Sequence, residues 1–279
     1  MPSLSPRLRE AAVYIIQNMQ KCAFMGIEKV ARAANVSPST VMRLLLKLGY
    51  KNYVEFRDEL RQMVMTQLAP IDRLKAVASA DTTLSETIGI SFNRDISNIE
   101  TTAGRNRETA WIEACSLCIN ASQIWVFGGR SSFAVASFLA LILEQLTGKA
   151  SLIAPFDESL PEIVNRIAPD HLGIVVGLPR YLRVTVDVAN LVKARGAKLL
   201  AITDGPFSPL AKIADASLYA AYEGTGHHNS LVGAMALVNC LAAVLRLQQP
   251  EMVNSRLKDL EDIYAKLNLF KTYISHPCP

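Results

Sequence analysis

Short apolar runs alternate with longer amphipathic stretches between residues 121 and 247. A short apolar run bounded by turn residues is typical of a buried strand, and an amphipathic stretch is typical of a helix. The pattern predicts five strands, at residues 124–127, 150–154, 172–176, 198–203 and 217–221. It predicts helices at residues 132–146, 160–167, 184–195, 230–247 and 251–269. Strands separated by helices pair in parallel, so we predict a three-layer α/β/α sandwich with a five-stranded parallel sheet.

A second pattern, nearer the N-terminus, is helical. Residues 27–34 have helical spacing, and Asn35 follows where a sharp turn needs a left-handed backbone, which asparagine tolerates. Ser37 is a natural N-cap, and Pro38 suits the first position of the helix that follows. Gly49 ends that helix. This order of short helix, tight turn and capped helix predicts an all-α helix-turn-helix domain that binds DNA.

The second helix of this motif has two faces. Its apolar side chains recur at helical spacing and are expected to pack on the preceding helix: Val41, Leu44, Leu45 and Leu48. Its other side is expected to face DNA: Ser39, Thr40, Arg43 and Lys47. Arg43 is suited to read guanine or to bind phosphate, whereas Lys47 and Lys51 are predicted phosphate contacts. With the cap residue Ser37, these polar and basic residues form the candidate DNA-binding set.

The charge distribution favours DNA binding as well. Residues 1–77 carry 12 Lys and Arg against 6 Asp and Glu, whereas the rest of the chain carries 17 against 19. A basic segment joined to a near-neutral body is typical of a protein that binds a polyanion at one end. The alternative is an ordinary helical hairpin with a solvated basic face, but here the cap, the turn and the polarity occur together.

The chain is predicted to have four parts. These are a helix-turn-helix domain at 1–77, a polar helical connector at 78–120, an α/β domain at 121–247, and a C-terminal helix and tail at 248–279. No run of about 20 apolar residues predicts a membrane span, and the N-terminus has no secretory signal pattern. We therefore expect a cytoplasmic protein with no membrane partner, in which the five cysteines are reduced.

Two of those cysteines, Cys115 and Cys118, have the CxxC spacing of redox and zinc sites. They fall in a stretch with helical spacing, and the sequence has no second CxxC and no pair of histidines at ligand spacing. We interpret them as buried thiols on a helix. No metal site and no cofactor are predicted.

Three loops follow the first, third and fourth predicted strands, at the sheet edge where open α/β sheets bind ligands. The first loop supplies five candidate ligand-binding residues: Gly128, Gly129, Arg130, Ser131 and Ser132. Its backbone N–H groups and hydroxyls suit a phosphate or a sugar oxygen. The other two loops add Arg180, Tyr181 and Thr203. Alternatively, the glycines serve only a strand–helix turn, Thr203 caps a helix, and the arginines face solvent or a partner subunit.

The second helix of the N-terminal motif resembles the helix-turn-helix of the RpiR family of transcriptional regulators. The resemblance rests on Ser37, Thr40, Val41, Arg43, Leu44, Lys47, Leu48, Gly49 and Tyr50 at their spacing. That family joins this domain to a sugar isomerase (SIS) domain, which the region 110–247 resembles. SIS domains usually hold phosphate with Ser and Thr after the third strand. Residues 177–183 depart from that pattern, because Arg180, Tyr181 and Arg183 stand there instead.

The resemblance implies a regulator that binds double-stranded operator DNA and responds to a small effector, a phosphorylated sugar or another acidic metabolite. Guanidinium groups bind such anions bidentately. It also implies a carbohydrate-related catabolic operon as the target, and repression ahead of activation. A homo-oligomer, dimer or tetramer, is implied too, with recognition helices on half-sites about 34 Å apart. The effector is expected to act through the connector at 78–120.

Two alternatives to a ligand-responsive regulator remain. The first is a sugar-phosphate isomerase with an accessory helical domain. Glu223, His227 and His228 lie near the predicted sugar site, and a His and a Glu suit acid–base catalysis. Adjacent histidines point in different directions and do not easily form a metal pair, and most such residues are loop or cap residues. The helix-turn-helix motif and the loss of the Ser and Thr loop after the third strand argue against an isomerase, so we predict no catalytic residue and no enzyme. The second alternative is a degenerate sensor that dimerises but binds no small molecule.

Overall fold

The computed structural model describes residues 4–67, 83–154 and 158–270. The chain divides into two compact units, Met1–Ala78 and Ser79–Pro279. The first unit has one hydrophobic core, and the second has two core clusters. Each unit therefore has the apolar interior that an independent domain needs.

The described part of the first unit is helical. Its helices are α1 at Pro6–Gln17, α2 at Met19–Cys22, α3 at Ile27–Ala33, α4 at Pro38–Lys47 and α5 at Tyr53–Gln67. All five contribute side chains to one core, in which Val30 of α3 and Leu45 of α4 are fully buried. The Tyr53 hydroxyl donates to the Met25 carbonyl at 3.0 Å and so ties α5 to the segment before α3. The two helices predicted for the motif are confirmed, each ending one residue earlier than expected.

The second unit contains a five-stranded parallel sheet. Its strands are β1 at Ile124–Gly128, β2 at Ala150–Ile153, β3 at Leu172–Val176, β4 at Lys198–Thr203 and β5 at Ala216–Tyr219. The strand order is β2-β1-β3-β4-β5, and Ile124 stands opposite both Ala150 and Leu172. The predicted α/β fold with five parallel strands is confirmed, because each apolar run in the sequence forms one strand.

Helices cover both faces of this sheet. They are α6 at Leu84–Arg105, α7 at Glu108–Asn120, α8 at Ser132–Thr147, α9 at Leu160–Arg166, α10 at Arg183–Ala194, α11 at Val232–Gln248 and α12 at Pro250–Lys266. Alternate residues of a strand point to opposite faces. Accordingly, Ile174 packs in the core formed with α7, α8 and α11, whereas Val175 packs in the core formed with α9 and α10. The three predicted layers are therefore present.

Helix α6 joins this unit mainly through polar side chains. Thr102 Oγ1 accepts from the Ala221 N–H at 2.9 Å, and Asn106 contacts both backbone groups of Tyr219 at 2.7 and 2.8 Å. These bonds satisfy backbone groups at and beyond the end of β5, the last strand of the sheet. The described residues 83–120 of the predicted connector consequently belong to the second unit.

Helix α6 also carries exposed apolar side chains. They are Leu84, Ile88, Ile90, Phe92, Ile96 and Ile99. Five of the six, all but Ile90, follow helical spacing along one stripe. In the part of the chain that the structure describes, no single helix is long and apolar enough to cross a membrane. Only α11 and α12 taken together reach that length and composition, with a bend of 110° between them.

The cysteines of the CxxC pair are buried on α7, as predicted. Cys115 and Cys118 are inaccessible to solvent, and burial raises the pKa of Cys115 to about 11 and that of Cys118 to about 12. Within the described ranges, no cluster of three or more His, Cys, Asp or Glu is placed to hold a metal ion. Both thiols therefore stay protonated and act as small apolar side chains.

We expect iodoacetamide at pH 8 to leave Cys115 and Cys118 unmodified in the native protein and to alkylate them in 8 M urea. At a pKa of about 11, only about one thiol in a thousand is ionised at that pH, and burial blocks access as well. The exposed Cys240 is the internal control. Peptide mass spectrometry gives the extent of modification at each cysteine, and native labelling of the CxxC pair at the rate of Cys240 would contradict the assignment.

Candidate functional site

The turn between α3 and α4 has the geometry that the sequence predicted. Asn35 has a left-handed φ of 52°, and Ser37 caps α4 by accepting from the Thr40 N–H at 3.2 Å. A hydrogen bond of 2.9 Å from the Val36 N–H to the Ala31 carbonyl closes the end of α3. This arrangement fixes the start of α4, the helix whose N-terminal side chains reach DNA in helix-turn-helix proteins.

The apolar face of α4 differs from the prediction at its end. Val41, Leu44 and Leu45 are buried as expected, but Leu48 is 59% exposed, so its predicted packing on α3 is wrong. Gly49 has a φ of 95°, and the Tyr50 N–H donates to the Leu45 carbonyl at 3.0 Å. The chain therefore turns back before Leu48 reaches the core. Tyr50 packs there instead, at the edge of the Phe56 ring.

The opposite side of α4 is open to solvent, with one exception. Ser39, Arg43 and Lys47 are exposed, and Lys51 is exposed just beyond the helix. Thr40 is only 5% exposed, so its predicted place on the DNA-facing side is wrong. Thr40 lies one turn before Leu44 and hence borders the buried face, and its hydroxyl is hydrogen-bonded to that of Ser37 at 2.9 Å. Both hydroxyls therefore serve the helix cap.

The loop after β1 contains two buried glycines with little space around them. A Cβ atom on Gly128 would lie 2.7 Å from the Ser132 carbonyl oxygen, and one on Gly129 would lie 2.4 Å from Leu182 Cδ2. At position 128, where the new atom would meet backbone, glycine is thus required for packing whether or not a ligand approaches. Ser132 is buried at the start of α8, whereas Ser131 and Arg130 are exposed, and Arg130 has a φ of 52°.

The loop after β3 is fixed on both sides of Arg180. The Pro179 carbonyl accepts from Asn229 Nδ2 at 2.9 Å, and the Tyr181 hydroxyl donates to the Asp204 carboxylate. Burial, and secondly this bond, raise the pKa of Tyr181 well above its ordinary value. Arg180 itself is exposed, with a φ of 61°. Arg183 follows this loop as the first residue of α10 and pairs with Asp187 at 3.5 Å on the surface of that helix.

Thr203 at the end of β4 is fully buried. Its hydroxyl is hydrogen-bonded to Asp204 at 3.0 Å and to Ser208 at 2.7 Å, and Ser208 accepts from the Leu210 N–H at 3.1 Å. The prediction that Thr203 contacts a ligand is therefore not met: its hydroxyl braces the turn after β4. The alternative considered from the sequence, that it caps local structure, fits these bonds.

The arginines of the first two loops, in contrast, remain available. Within the described residues, the guanidinium group of neither Arg130 nor Arg180 has a hydrogen bond or an ion pair. Both have the left-handed backbone that side-chain-bearing residues rarely adopt. The two loops adjoin, because Gly129 lies against Leu182, and their helices α8 and α10 leave the sheet on opposite faces. Such a point, where neighbouring strands lead to opposite faces, is where open α/β sheets form a ligand crevice.

The loop after β5 carries the candidate acid–base residues. The Glu223 carboxylate is paired with Arg94 of α6. His227 and His228 are exposed and contact one another, with ring centroids 4.9 Å apart. Asn98, Asp204 and Asn229 organise these loops, yet sequence analysis did not single them out. Asp204 was detectable from its place directly after a strand; the partners of Asn98 lie 125 positions away in the sequence and leave no local signal.

Comparison with known proteins agrees with this geometry. Residues 3–67 match the helix-turn-helix domain of the rpiR family, and residues 117–244 match the SIS domain. The chain is 34% identical to the sugar isomerase domain of an RpiR transcription factor from Sphaerobacter thermophilus, covering 96% of that structure and 62% of this chain, with a TM-score of 0.59. This chain belongs to the RpiR family of transcriptional regulators.

Two other RpiR-like relatives extend along most of the chain. The HTH-type transcriptional regulator GlvR of Bacillus subtilis is 24% identical over 217 residues, which is 74% of each chain. The Vibrio vulnificus NanR protein, solved in complex with ManNAc-6P, is 24% identical and covers 96% of each chain with a TM-score of 0.60. The predicted combination of helix-turn-helix and SIS domains in a transcriptional regulator is therefore confirmed.

Replacing Arg43 with alanine is expected to weaken operator binding by about 1–3 kcal/mol if the guanidinium contacts a base. The protein should stay folded, because Arg43 is exposed. The measurement is DNA affinity for the promoter beside its own gene, at several salt concentrations. Lys258→Ala, which removes an exposed charge from α12, is the control. Equal affinities for wild type and Arg43→Ala at physiological salt would exclude Arg43 from the interface.

Gly128→Ala is expected to lower the stability of the second unit by about 1–3 kcal/mol, because the new methyl group meets the backbone of Ser132. Gly205→Ala is the matched control, since no atom lies within 4 Å of the corresponding position. Urea unfolding followed by circular dichroism compares the two variants. If both unfold at the wild-type midpoint, the loop after β1 does not need a glycine.

Proposed function

We propose that this regulator binds an anionic sugar derivative, a sugar phosphate or sugar acid, between the loops after β1 and β3 and changes its operator affinity in response. The most direct support comes from Arg130 and Arg180 on the two loops. Both side chains are exposed, both residues have a left-handed backbone, and neither guanidinium has a partner among the described residues. A guanidinium provides several donors in one plane and matches phosphate or carboxylate geometry. Ser131, which lies between Arg130 and α8 in the sequence, adds an exposed hydroxyl.

The ligand of a relative supports the same chemical class. NanR was solved with ManNAc-6P, a phosphorylated amino sugar. The present chain lacks the hydroxyl-rich loop after β3, so we propose that Arg180 takes over the anion. Tyr181, an expected ligand contact, acts instead as a brace for Arg180 through Asp204.

At the other end of the chain, we propose that α4 lies in the major groove. Ser39 and Arg43 then face base edges, and Lys47 and Lys51 face phosphates. A homo-oligomer presents two such helices to a palindromic operator. The exposed apolar stripe on α6 is compatible with self-association. Such a protein works in the cytoplasm, where its operator is.

We propose that the protein is not an isomerase, although isomerases share the SIS fold. The carboxylate of Glu223 is held by Arg94, and the two candidate histidines face solvent. General acid–base catalysis needs groups within hydrogen-bond reach of the substrate. Turnover assays on sugar phosphates test this directly, and any activity abolished by Glu223→Gln would contradict the proposal.

The effector is tested with four compounds: glucose 6-phosphate, N-acetylmannosamine 6-phosphate, 6-phosphogluconate and gluconate. We expect at least one to raise the Tm and to change operator affinity in a mobility-shift assay, since a ligand that binds the folded state stabilises it. Arg180→Gln should abolish both effects and retain DNA binding.

Arg183→Gln is the matched control, because it removes the same charge at the start of α10, directly after this loop, from a side chain that is 94% exposed and paired with Asp187. It should respond like the wild type. If both variants lose the response equally, the loss is due to the reduced positive charge of this region and not to a specific contact of Arg180. A full response in Arg180→Gln would show that the loop after β3 does not hold the anion.

A further inference from the structure

Helix α6 is held against the loop after β5 by a continuous set of hydrogen bonds. Asn98 donates to the Glu223 carbonyl at 2.8 Å and accepts from the Glu223 N–H at 3.1 Å. One turn earlier, Arg94 pairs with the Glu223 carboxylate, and Asp95 accepts from the Ser230 hydroxyl at 2.6 Å. Residues 94–98 of α6 are thus bonded directly to residues 223–230.

The same loop holds one side of the loop that carries Arg180. Asn229 Nδ2 donates to the Pro179 carbonyl, immediately before Arg180. On its other side, Tyr181 is bonded to the Asp204 carboxylate, and Arg105 at the end of α6 donates to the Asp204 carbonyl at 3.2 Å. Both neighbours of Arg180 are consequently connected to α6 through one intervening residue or loop.

We infer that α6 senses the occupancy of the Arg180 loop, with Asn98, Asn229 and Asp204 as positioning residues that couple the two. This inference rests on the function proposed above. An anion bound by Arg180 displaces Pro179 and Tyr181, and their partners Asn229 and Asp204 transmit that displacement to the C-terminal half of α6. Helix α6 is the first described helix after α5 of the DNA-binding unit.

The hydrogen bonds between α6 and residues 223–230 suit a coupling role because they are polar. Hydrogen bonds at a partly exposed interface can exchange partners or admit water at small cost, whereas sliding a packed apolar interface opens cavities. Asn98 is buried at 3% exposure although its two partners are backbone groups, so its amide has no other function in the described structure than to hold this loop. Coupling requires the effector to favour one arrangement of these hydrogen bonds over another.

The first test uses the full chain and the compound of the four above that gives the largest change in operator affinity. Asn98→Asp keeps the acceptor and loses the donor. We expect it to reduce the effector-induced fold-change in operator affinity at least threefold, while operator affinity without effector stays within twofold of wild type. Asn229→Ala should do the same. The control Asn190→Asp changes an exposed asparagine that is likewise bonded to a carbonyl, on α10, and should keep the full response.

A merely structural role would lower stability or both affinities and leave this fold-change unaltered. An unaltered fold-change in both Asn98→Asp and Asn229→Ala would therefore overturn the inference.

The second test needs no effector and so separates the inference from the proposed function. Hydrogen exchange of α6 amides is compared in wild type, Tyr181→Phe and Tyr264→Phe. The last variant removes one hydroxyl far along the sequence, on α12. We expect exchange within residues 94–105 to be at least threefold faster only in Tyr181→Phe. Wild-type exchange in that variant would overturn the coupling even if an effector acts. If no compound changes operator affinity, the effector class is wrong, and exchange alone decides the coupling.

Discussion

A parallel sheet buries both of its faces, and this constraint places the functional loops of the second unit. Each strand has to be followed by a segment that returns across one face, so every strand ends at the same edge of the sheet. β1 and β3 are neighbours, but α8 returns over one face and α10 over the other. The loops between them diverge and leave a crevice. Arg130 and Arg180 lie on those loops because of this topology.

Backbone strain is concentrated at the same place. Of the four non-glycine residues with positive φ among the described residues, two are Arg130 and Arg180. Such a conformation costs on the order of 1–3 kcal/mol and persists only where the surroundings enforce it. For Arg180 the surroundings are identifiable: Pro179 is fixed by Asn229, and Tyr181 is fixed by Asp204. The bonds that connect this loop to α6 are thus also the bonds that hold the guanidinium in place.

The sequence predicted those features that depend on local pattern. Five apolar runs became five strands, and Asn35 and Ser37 formed the turn and the cap, because hydrophobic spacing and capping act over a few residues. Predictions failed where the contacts of individual side chains, and not their spacing, decided the outcome. Leu48 has the spacing of a core residue, but Tyr50 packs against the core in its place. Thr40 and Thr203 had the right chemistry, but neighbouring hydroxyls and a carboxylate engage them. Neither the exposure of Leu48 nor the local hydrogen bonds of Thr40 and Thr203 can be obtained from the periodicity of apolar residues.

The replacement of hydroxyls by arginine after β3 changes how an anion must be held. Hydroxyls and backbone N–H groups at a helix start bind phosphate at short range and fix its position. A long guanidinium, in contrast, reaches its anion from a flexible stem and must lose side-chain entropy on binding. An arginine site therefore gains from a rigid base, which the bonds of Pro179 and Tyr181 provide. In the proposed coupling that base is shared with α6, so the free energy of anion binding can favour one arrangement of α6 over another, and anion affinity and allosteric response become properties of the same few hydrogen bonds.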